Sequence, residues 1–357
     1  MTPPPEIRAL EFFSGIGAMH YGLQWAGVKG DVVASFDINP VANACYRHNF
    51  GIEPIQTLIE TMTEKRLEGF GANAWFMSPP CQPYTRTGKQ LDTTDPRAVG
   101  LLHLIRLLGT LTTPPTYLFL ENVLNFESSQ TRSLLTQQLS NRGYDFTEWF
   151  LTPTQMGLPN DRGRYYLTAR RVREAGEDVG VPELRLVKEW PFGGAGVKRK
   201  TVGEFLEEDG EGELVRRYRL PEAFVKRRQA FSESAVVTAD DVRTSCFTKA
   251  YGHHGLAAGS YLQTKGFDVN EPSTAIDRLG LRCFTPTEVA RLHGFPIDDR
   301  APAPPRPAAA VAERLAYKFE FPEEVTTIQR WRVLGNSMSV VVVGELMRCA
   351  LFADHVV

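Results

Sequence analysis

The 357-residue chain has five cysteines, Cys45, Cys81, Cys246, Cys283 and Cys349, an odd number, widely spaced, with no Cys-x-x-Cys pair and no His-x-x-x-His. That scarcity argues against a disulfide framework and a zinc module, and a reduced compartment, cytoplasmic and/or nuclear, is expected. Long apolar runs are also lacking. The best stretches, around Ser339–Gly344 and Leu346–Phe352, are short and interrupted, so neither a membrane span nor a membrane partner is expected. The opening Met1-Thr2-Pro3-Pro4-Pro5-Glu6 carries no basic n-region and no apolar h-region, so secretion is not expected. Neither sign of charge dominates: 40 basic side chains face 42 acidic ones, which excludes a globally basic histone-like binder and leaves room for local patches. No internal repeat is present.

What is there is a globular composition, 42% apolar and 23% charged, long enough to bury a large core. Ile7–Phe13, Val32–Asp37, Ala74–Ser78, Tyr117–Glu121 and Arg164–Ala169 read as strands, and Met19–Ala26, Val41–Asn49 and Leu101–Leu111 as helices. Such alternation predicts an α/β fold with a doubly wound, mostly parallel sheet. The rhythm fails from about residue 170 to 281, where Gly-rich and charged stretches suggest a small inserted domain. Arg282–Pro296 then holds a compact helix with Thr285 as N-cap and Pro286 at its first position. Residues 298–310, with four prolines and five alanines, read as a flexible insertion. Val340–Phe352 reads as a helix docking on the sheet.

Three segments could carry chemistry. The first strand runs into Ser14-Gly15-Ile16-Gly17-Ala18, a turn that lets a ligand approach the backbone, and the next strand ends in Asp37-Ile38, where an acid is placed to bind ribose hydroxyls. The dinucleotide fingerprint is broken because His20 stands where its third glycine would be, which favours S-adenosylmethionine over NAD or FAD. The sharpest signal is Ser78-Pro79-Pro80-Cys81-Gln82-Pro83-Tyr84-Thr85-Arg86. Two prolines before a cysteine stop any helix and hold the thiol on a rigid loop, which packing alone would not require. Glu121-Asn122-Val123 ends the following strand, where partial desolvation raises a carboxyl's pKa and suits it to carry a proton near neutrality.

With Gln155-Met156-Gly157-Leu158-Pro159-Asn160-Asp161-Arg162-Gly163-Arg164 and Leu334-Gly335-Asn336-Ser337-Met338 following in order, these motifs resemble those of the cytosine-5 methyltransferases. The likeness covers nearly all of residues 7–170 and 282–352. It implies the Rossmann-like fold of class I S-adenosylmethionine-dependent methyltransferases, with a catalytic domain at 6–170 and 282–357 and a target-recognition domain at 171–281. It further implies Cys81 as nucleophile, Glu121 as the acid that protonates the base, and Arg162 and Arg164 as charge stabilisers. Phe13, Gly15, Ile16, Gly17, Ala18, Asp37, Ile38, Leu58, Ile59, Ser78, Asn336 and Ser337 would hold the methyl donor, Leu58-Ile59-Glu60 being a weak form of the motif that contacts adenine. Cytosine C5 is a poor nucleophile, so a thiolate must first add at C6, which calls for a cysteine and for a base that is flipped out or unpaired.

Within that family the Cys81 loop, Ser245-Cys246-Phe247-Thr248-Lys249-Ala250-Tyr251-Gly252 and Tyr261-Leu262-Gln263 look like the DNA methyltransferase-2-like enzymes, which modify cytosine 38 in the anticodon loop of aspartate tRNA. The resemblance implies a monomer acting on tRNA, with weak DNA binding at most. It assigns target contacts to Pro80, Gln82, Thr85, Arg86, Asn122, Cys246, Phe247, Thr248, Lys249 and Tyr251. Between Arg185 and Lys249, 13 basic residues face 11 acidic ones, so Lys198–Lys200, Arg216–Arg219 and Lys226–Arg228 read by default as solvated faces. A DNA methyltransferase and a non-catalytic nucleic-acid adaptor of the same fold are the competing readings.

Overall fold

The computed structural model describes residues 5–85, 91–174, 182–193, 198–220, 236–253, 258–265, 280–304 and 318–355. Apolar side chains build the front half as β1 (Ile7–Phe12), α1 (Ala18–Ala26), β2 (Gly30–Phe36), α2 (Pro40–Phe50), α3 (Glu64–Glu68), β3 (Ala74–Met77), α4 (Val99–Thr110) and β4 (Tyr117–Asn122), the expected order with the short α3 added. Local chemistry sets the ends. At α2, the Asn39 side chain accepts the N–H groups of Val41 and Ala42, Pro40 opens the first turn, and Gly51 closes the helix in the left-handed region.

Two further elements, α5 (Gln130–Asn141) and β5 (Tyr144–Leu151), lie where no element was expected, and they precede β6 (Arg164–Arg171). Their polarity hides them: Arg132 of α5 and Glu148 of β5 are both buried, paired through two hydrogen bonds, with Tyr165 donating a third to the carboxylate. The seven-stranded sheet has the order β2-β1-β3-β4-β6-β5-β7, with β7 being Leu186–Val187. β1 to β4 are mutually parallel; β6 runs antiparallel to β4 and β5, and β7 parallel to β5. Reversal of β6 brings its first residue, Arg164, to the edge where β4 ends.

Beyond it come α6 (Glu213–Arg217), a small sheet of β8 (Val236–Val237), β9 (Tyr261–Leu262) and β10 (Arg282–Cys283), then α7 (Pro286–His293), α8 (Thr327–Asn336) and α9 (Val340–Leu346). The expected boundary at 281/282 is crossed by the β9–β10 pairing, and Phe205, Phe247, Tyr251 and Tyr261 share one core with Phe284, Trp331 and the residues of α9. The helix at α7 has Thr285 as its N-cap and Pro286 in its first turn, as the sequence suggested, and the structure adds Glu288, whose side chain returns the bond to the Thr285 N–H in a reciprocal box. Of the stretch 298–310, residues 305–310 lie outside those described. Its start is tied down, with Asp298 paired to Arg291 and Arg300 to Glu208.

The helical segment Thr327–Leu351 corrects the expectation about apolar runs. One 18-residue window averages a hydropathy of 1.3, enough by length and composition to cross a membrane, and 72% of that window is buried within the fold. It is core. α9 packs on α1 so closely that a Cβ at Gly344 would lie 2.3 Å from the Trp25 ring and one at Gly22 2.5 Å from Val343. Glycine at both positions is what admits the contact.

Candidate active site

Four strand ends converge on one edge of the sheet. After β1 the chain turns through Phe13 and Gly15 with φ of 57° and 54°. Gly17 adopts φ 81°, and a Cβ there would sit 2.3 Å from the Phe50 ring. His20, at the site of the missing third glycine, is buried, stacked on Phe50 with ring centroids 3.9 Å apart and bonded to the Tyr46 hydroxyl. Tyr46 in turn donates to the buried Glu11, whose carboxyl burial pushes up to about 8. This network supports the turn from beneath.

Asp37, at the end of β2, accepts the Gly15 and Asn39 N–H groups, each at 2.8 Å. Burial raises its pKa, with those N–H groups acting in the opposite sense. With the Ile38 N–H also directed at the carboxylate, three of its roughly four lone-pair sites are taken and one is left, which fits a ribose hydroxyl as well as a pinned turn. Beside it, Ile38 and Leu58 are 61% and 52% exposed, an unusual state for large aliphatic residues and one that suits the face of a purine. Ile16 and Ile59 are corrected: both side chains are buried in the core, so neither offers a side-chain surface to a ligand. Ala18 is likewise buried at the start of α1. Open space beside Gly15, the exposed apolar pair and the Asp37 carboxylate together form a cradle that fits a nucleoside.

The nucleophile loop follows β3. Ser78 donates to the Phe13 carbonyl at 2.8 Å, joining the cradle to this loop. Asn122 donates to the Pro79 carbonyl at 3.3 Å while its own oxygen accepts the Val123 N–H, so it positions the loop instead of facing a target as expected. Pro80, Cys81, Gln82 and Thr85 are half-buried, Thr85 bonds the Gln82 carbonyl, and Arg86 lies outside the described residues. Burial and the charge of Glu121 push the Cys81 thiol up, against the pull of Arg164, Lys249 and Arg162. Glu121 is buried and held above the usual carboxylate range by desolvation, which outweighs Arg164 and Arg162. Arg164 Nε stands 3.4 Å from Glu121 Oε1.

Arg162 does a different job from Arg164 and corrects its expected role. Its guanidinium donates to the carbonyls of Phe247 at 2.7 Å and Gly335 at 2.9 Å, to that of Ser337, and to Cys246 Sγ at 3.2 Å. Its two terminal nitrogens tie the Cys246 segment to the end of α8, while its buried Nε has no partner among the described residues and its charge is felt at Cys81 and Glu121. Ser337 is therefore part of this tie, while Asn336 is exposed. Phe247 and Tyr251 are corrected as well. Both are buried, edge-on to each other with centroids 5.0 Å apart, and the Tyr251 hydroxyl donates to the Ser260 carbonyl at 2.7 Å and accepts the Phe284 N–H at 2.8 Å. Thr248 is half-buried with its N–H on the Ala258 carbonyl, and Lys249 alone of this segment's expected contacts is exposed.

The model of the C-5 cytosine-specific DNA methylase family matches residues 7–350. The chain belongs to that family. It is 34% identical to a DNA (cytosine-5)-methyltransferase of Dictyostelium discoideum over 96% of this chain and 94% of that one. It is 31% identical to the tRNA (cytosine(38)-C(5))-methyltransferase of Homo sapiens over 96% and 98%. The crystal structure of the Schizosaccharomyces pombe Dnmt2 methyltransferase superposes with a TM-score of 0.76 at 31% identity, covering 97% and 98% of the two chains. This cytosine-5 methylase thus falls in the DNA methyltransferase-2-like branch, and its mostly parallel seven-stranded sheet is that branch's fold.

Proposed function

We propose that this cytosine-5 methylase transfers a methyl group from S-adenosylmethionine to C5 of a tRNA cytosine, cytosine 38 of aspartate tRNA being the expected target, and acts as a monomer. The observation that carries the reading is the convergence of Cys81, Glu121 and Arg164 at one sheet edge beside a nucleoside-shaped cradle. Near full-length likeness to proteins named as tRNA (cytosine(38)-C(5))-methyltransferases supports the choice of tRNA. Asp37, Ile38, Leu58, Phe13 and the Gly15 turn would hold the donor, which when bound supplies an electrophilic methyl group.

In this scheme the Cys81 sulfur adds to C6 of the base and electron density moves toward C5. Glu121, whose carboxyl burial shifts toward the protonated form, donates a proton at N3, while Arg164 lies beside its carboxyl and balances the charge left there. After transfer the C5 proton passes to solvent as the C5–C6 double bond re-forms and Cys81 leaves C6 as thiolate, N3 returns its proton to the Glu121 carboxylate, and the ring regains aromaticity. Residues 171–281 act as the target-recognition region, with Lys249 reaching toward the thiol side of the site. A second reading, cytosine in DNA, is favoured by the name of the 34% identical Dictyostelium relative. Incubating the purified chain with radiolabelled S-adenosylmethionine and either tRNA or duplex DNA separates the two, and bisulfite sequencing locates the modified base. Label in DNA alone would overturn the tRNA reading.

A further inference from the structure

Residues 185–200 carry five basic side chains, Arg185, Lys188, Lys198, Arg199 and Lys200, against a single acid, Glu189, in a chain whose overall charge is close to neutral. This imbalance coincides with exposed aromatic surface. Phe192 is 43% exposed, its ring lies 5.0 Å from that of the half-buried Trp190 and 5.9 Å from that of Trp149 on β5, and Lys188, Lys198 and Arg199 of the same stretch are exposed. Trp149 itself is buried and bonded to Thr168, so Phe192 rests on a fixed base.

The same patch is fastened to the loop that leads into Arg162 and Arg164. Gln155 donates to the Lys188 carbonyl at 2.7 Å, and the Lys200 N–H donates to the Gly157 carbonyl at 2.9 Å. Arg162 follows Gly157 by five residues, a span of at most roughly 18 Å even if fully extended. An RNA whose target base lies against Cys81 therefore has this surface within reach of its flanking stem or loop.

We propose that Trp190, Phe192, Lys188, Lys198 and Arg199 form a second RNA-contact platform, in which the aromatic pair stacks on an unpaired base and the cations neutralise the adjoining phosphates. Aromatic surface framed by cations is the combination that single-stranded nucleic acid binding uses, since every base has a π-face and every linkage a negative charge. An acidic protein partner would use the cations and leave the ring faces idle. Packing alone accounts for Trp190, which touches the core; it does not account for Phe192 being left open among like charges.

The proposal rests on the tRNA reading above and deepens it. Its test uses the full chain with an aspartate tRNA transcript and with the isolated anticodon stem-loop, binding being measured across a salt series. Lys198→Glu/Arg199→Glu should weaken tRNA binding at least tenfold and lower the slope of log K on log salt by about one to two units, as expected for two lost phosphate contacts. Phe192→Ala should weaken binding about five- to a hundredfold, the range of one lost base stack, with the slope unchanged. Single-turnover methylation at saturating tRNA should match wild type in both, because neither variant touches the catalytic constellation. Wild-type affinity and salt slope in both variants would overturn the platform while leaving the tRNA reading intact. Failure of the unaltered chain to bind and methylate tRNA would overturn the reading itself and the platform with it. Loss of binding to an acidic polypeptide, with tRNA binding unchanged, would assign the surface to a protein partner instead.

Discussion

Cys81 and Cys246 stand near the same two arginines and meet opposite electrostatics. Cys246 Sγ accepts from Arg162 at 3.2 Å and from Arg164 at 3.7 Å, and the two cations overcome burial and lower its pKa. Cys81 is raised, because burial and the Glu121 charge outweigh cations that do not touch it. The thiol with the lower pKa is thus the one fixed between arginines, and the thiol placed to attack a base is held protonated until something changes its surroundings. Residue type decides what chemistry is available at each point, whereas the local balance of charge and solvent decides which state is populated.

The most severe way to break this pairing is Cys81→Ala. Methyl transfer should vanish while donor binding, measured by calorimetry with S-adenosylmethionine, stays at the wild-type level, because the cradle at Gly15, Asp37 and Leu58 does not involve the thiol. Substantial transfer by this variant would move the nucleophile elsewhere, with Cys246 the first place to look.

Glu121→Gln comes next. Loss of a general acid costs about 10²–10⁴-fold in rate, and the pH profile should change shape as well. Transfer needs Glu121 protonated and Cys81 ionised, and both pKa values are raised from ordinary values that lie well apart, the thiol's above the carboxyl's. The active form is then a constant minor fraction between the two. Activity rises with pH until Glu121 ionises, levels off, and falls once Cys81 ionises. In Glu121→Gln the falling limb should disappear, leaving a curve that climbs to the thiol's pKa. A bell retained in this variant would mean that another group supplies the proton.

Arg162 and Arg164 sharpen the comparison from the other side. Arg162→Ala leaves the carbonyls of Phe247, Gly335 and Ser337 without their donor, and should cost about 3–5 kcal/mol of stability in denaturant unfolding. Arg164→Ala should instead lower kcat about 10²-fold, as for one lost donor at a developing charge, with a smaller effect on unfolding. Equal behaviour of the two would dissolve the division of labour.

Much of this site was legible in the residues themselves. Cys81, Glu121 and Asp37 sit at strand ends because apolar runs stop there, and an ordered set of strand-end polar residues marks one edge of a parallel sheet. The roles of Arg162, Asn122, Phe247 and Tyr251 were not legible, since a motif residue that binds its own backbone looks the same in sequence as one that binds a ligand. Nor were α5 and β5, whose Arg132–Glu148 pair places charge where a core element should show none. Burial of Ile59 beside exposed Leu58 could not be read either, because a short irregular turn has no period to say which neighbour faces inward.

Tyr251 and Lys249, two residues apart, give the smallest and most discriminating effect. Tyr251→Phe removes a hydroxyl that donates to the Ser260 carbonyl and accepts the Phe284 N–H, so two buried groups lose a partner and stability should fall by about 1–3 kcal/mol. Its ring still fills the space against Phe247 and Trp331, so tRNA affinity and its salt slope should be those of wild type. Lys249→Ala should do the reverse. The side chain is exposed, so unfolding should not change, while its charge is felt at Cys81, so affinity for tRNA should weaken with the salt slope lowered by about one unit. If Tyr251→Phe weakened tRNA binding at full stability, the buried tyrosine would have to leave the core when RNA binds, and the Cys246 segment would be a moving part of the enzyme instead of a fixed wall held by Arg162.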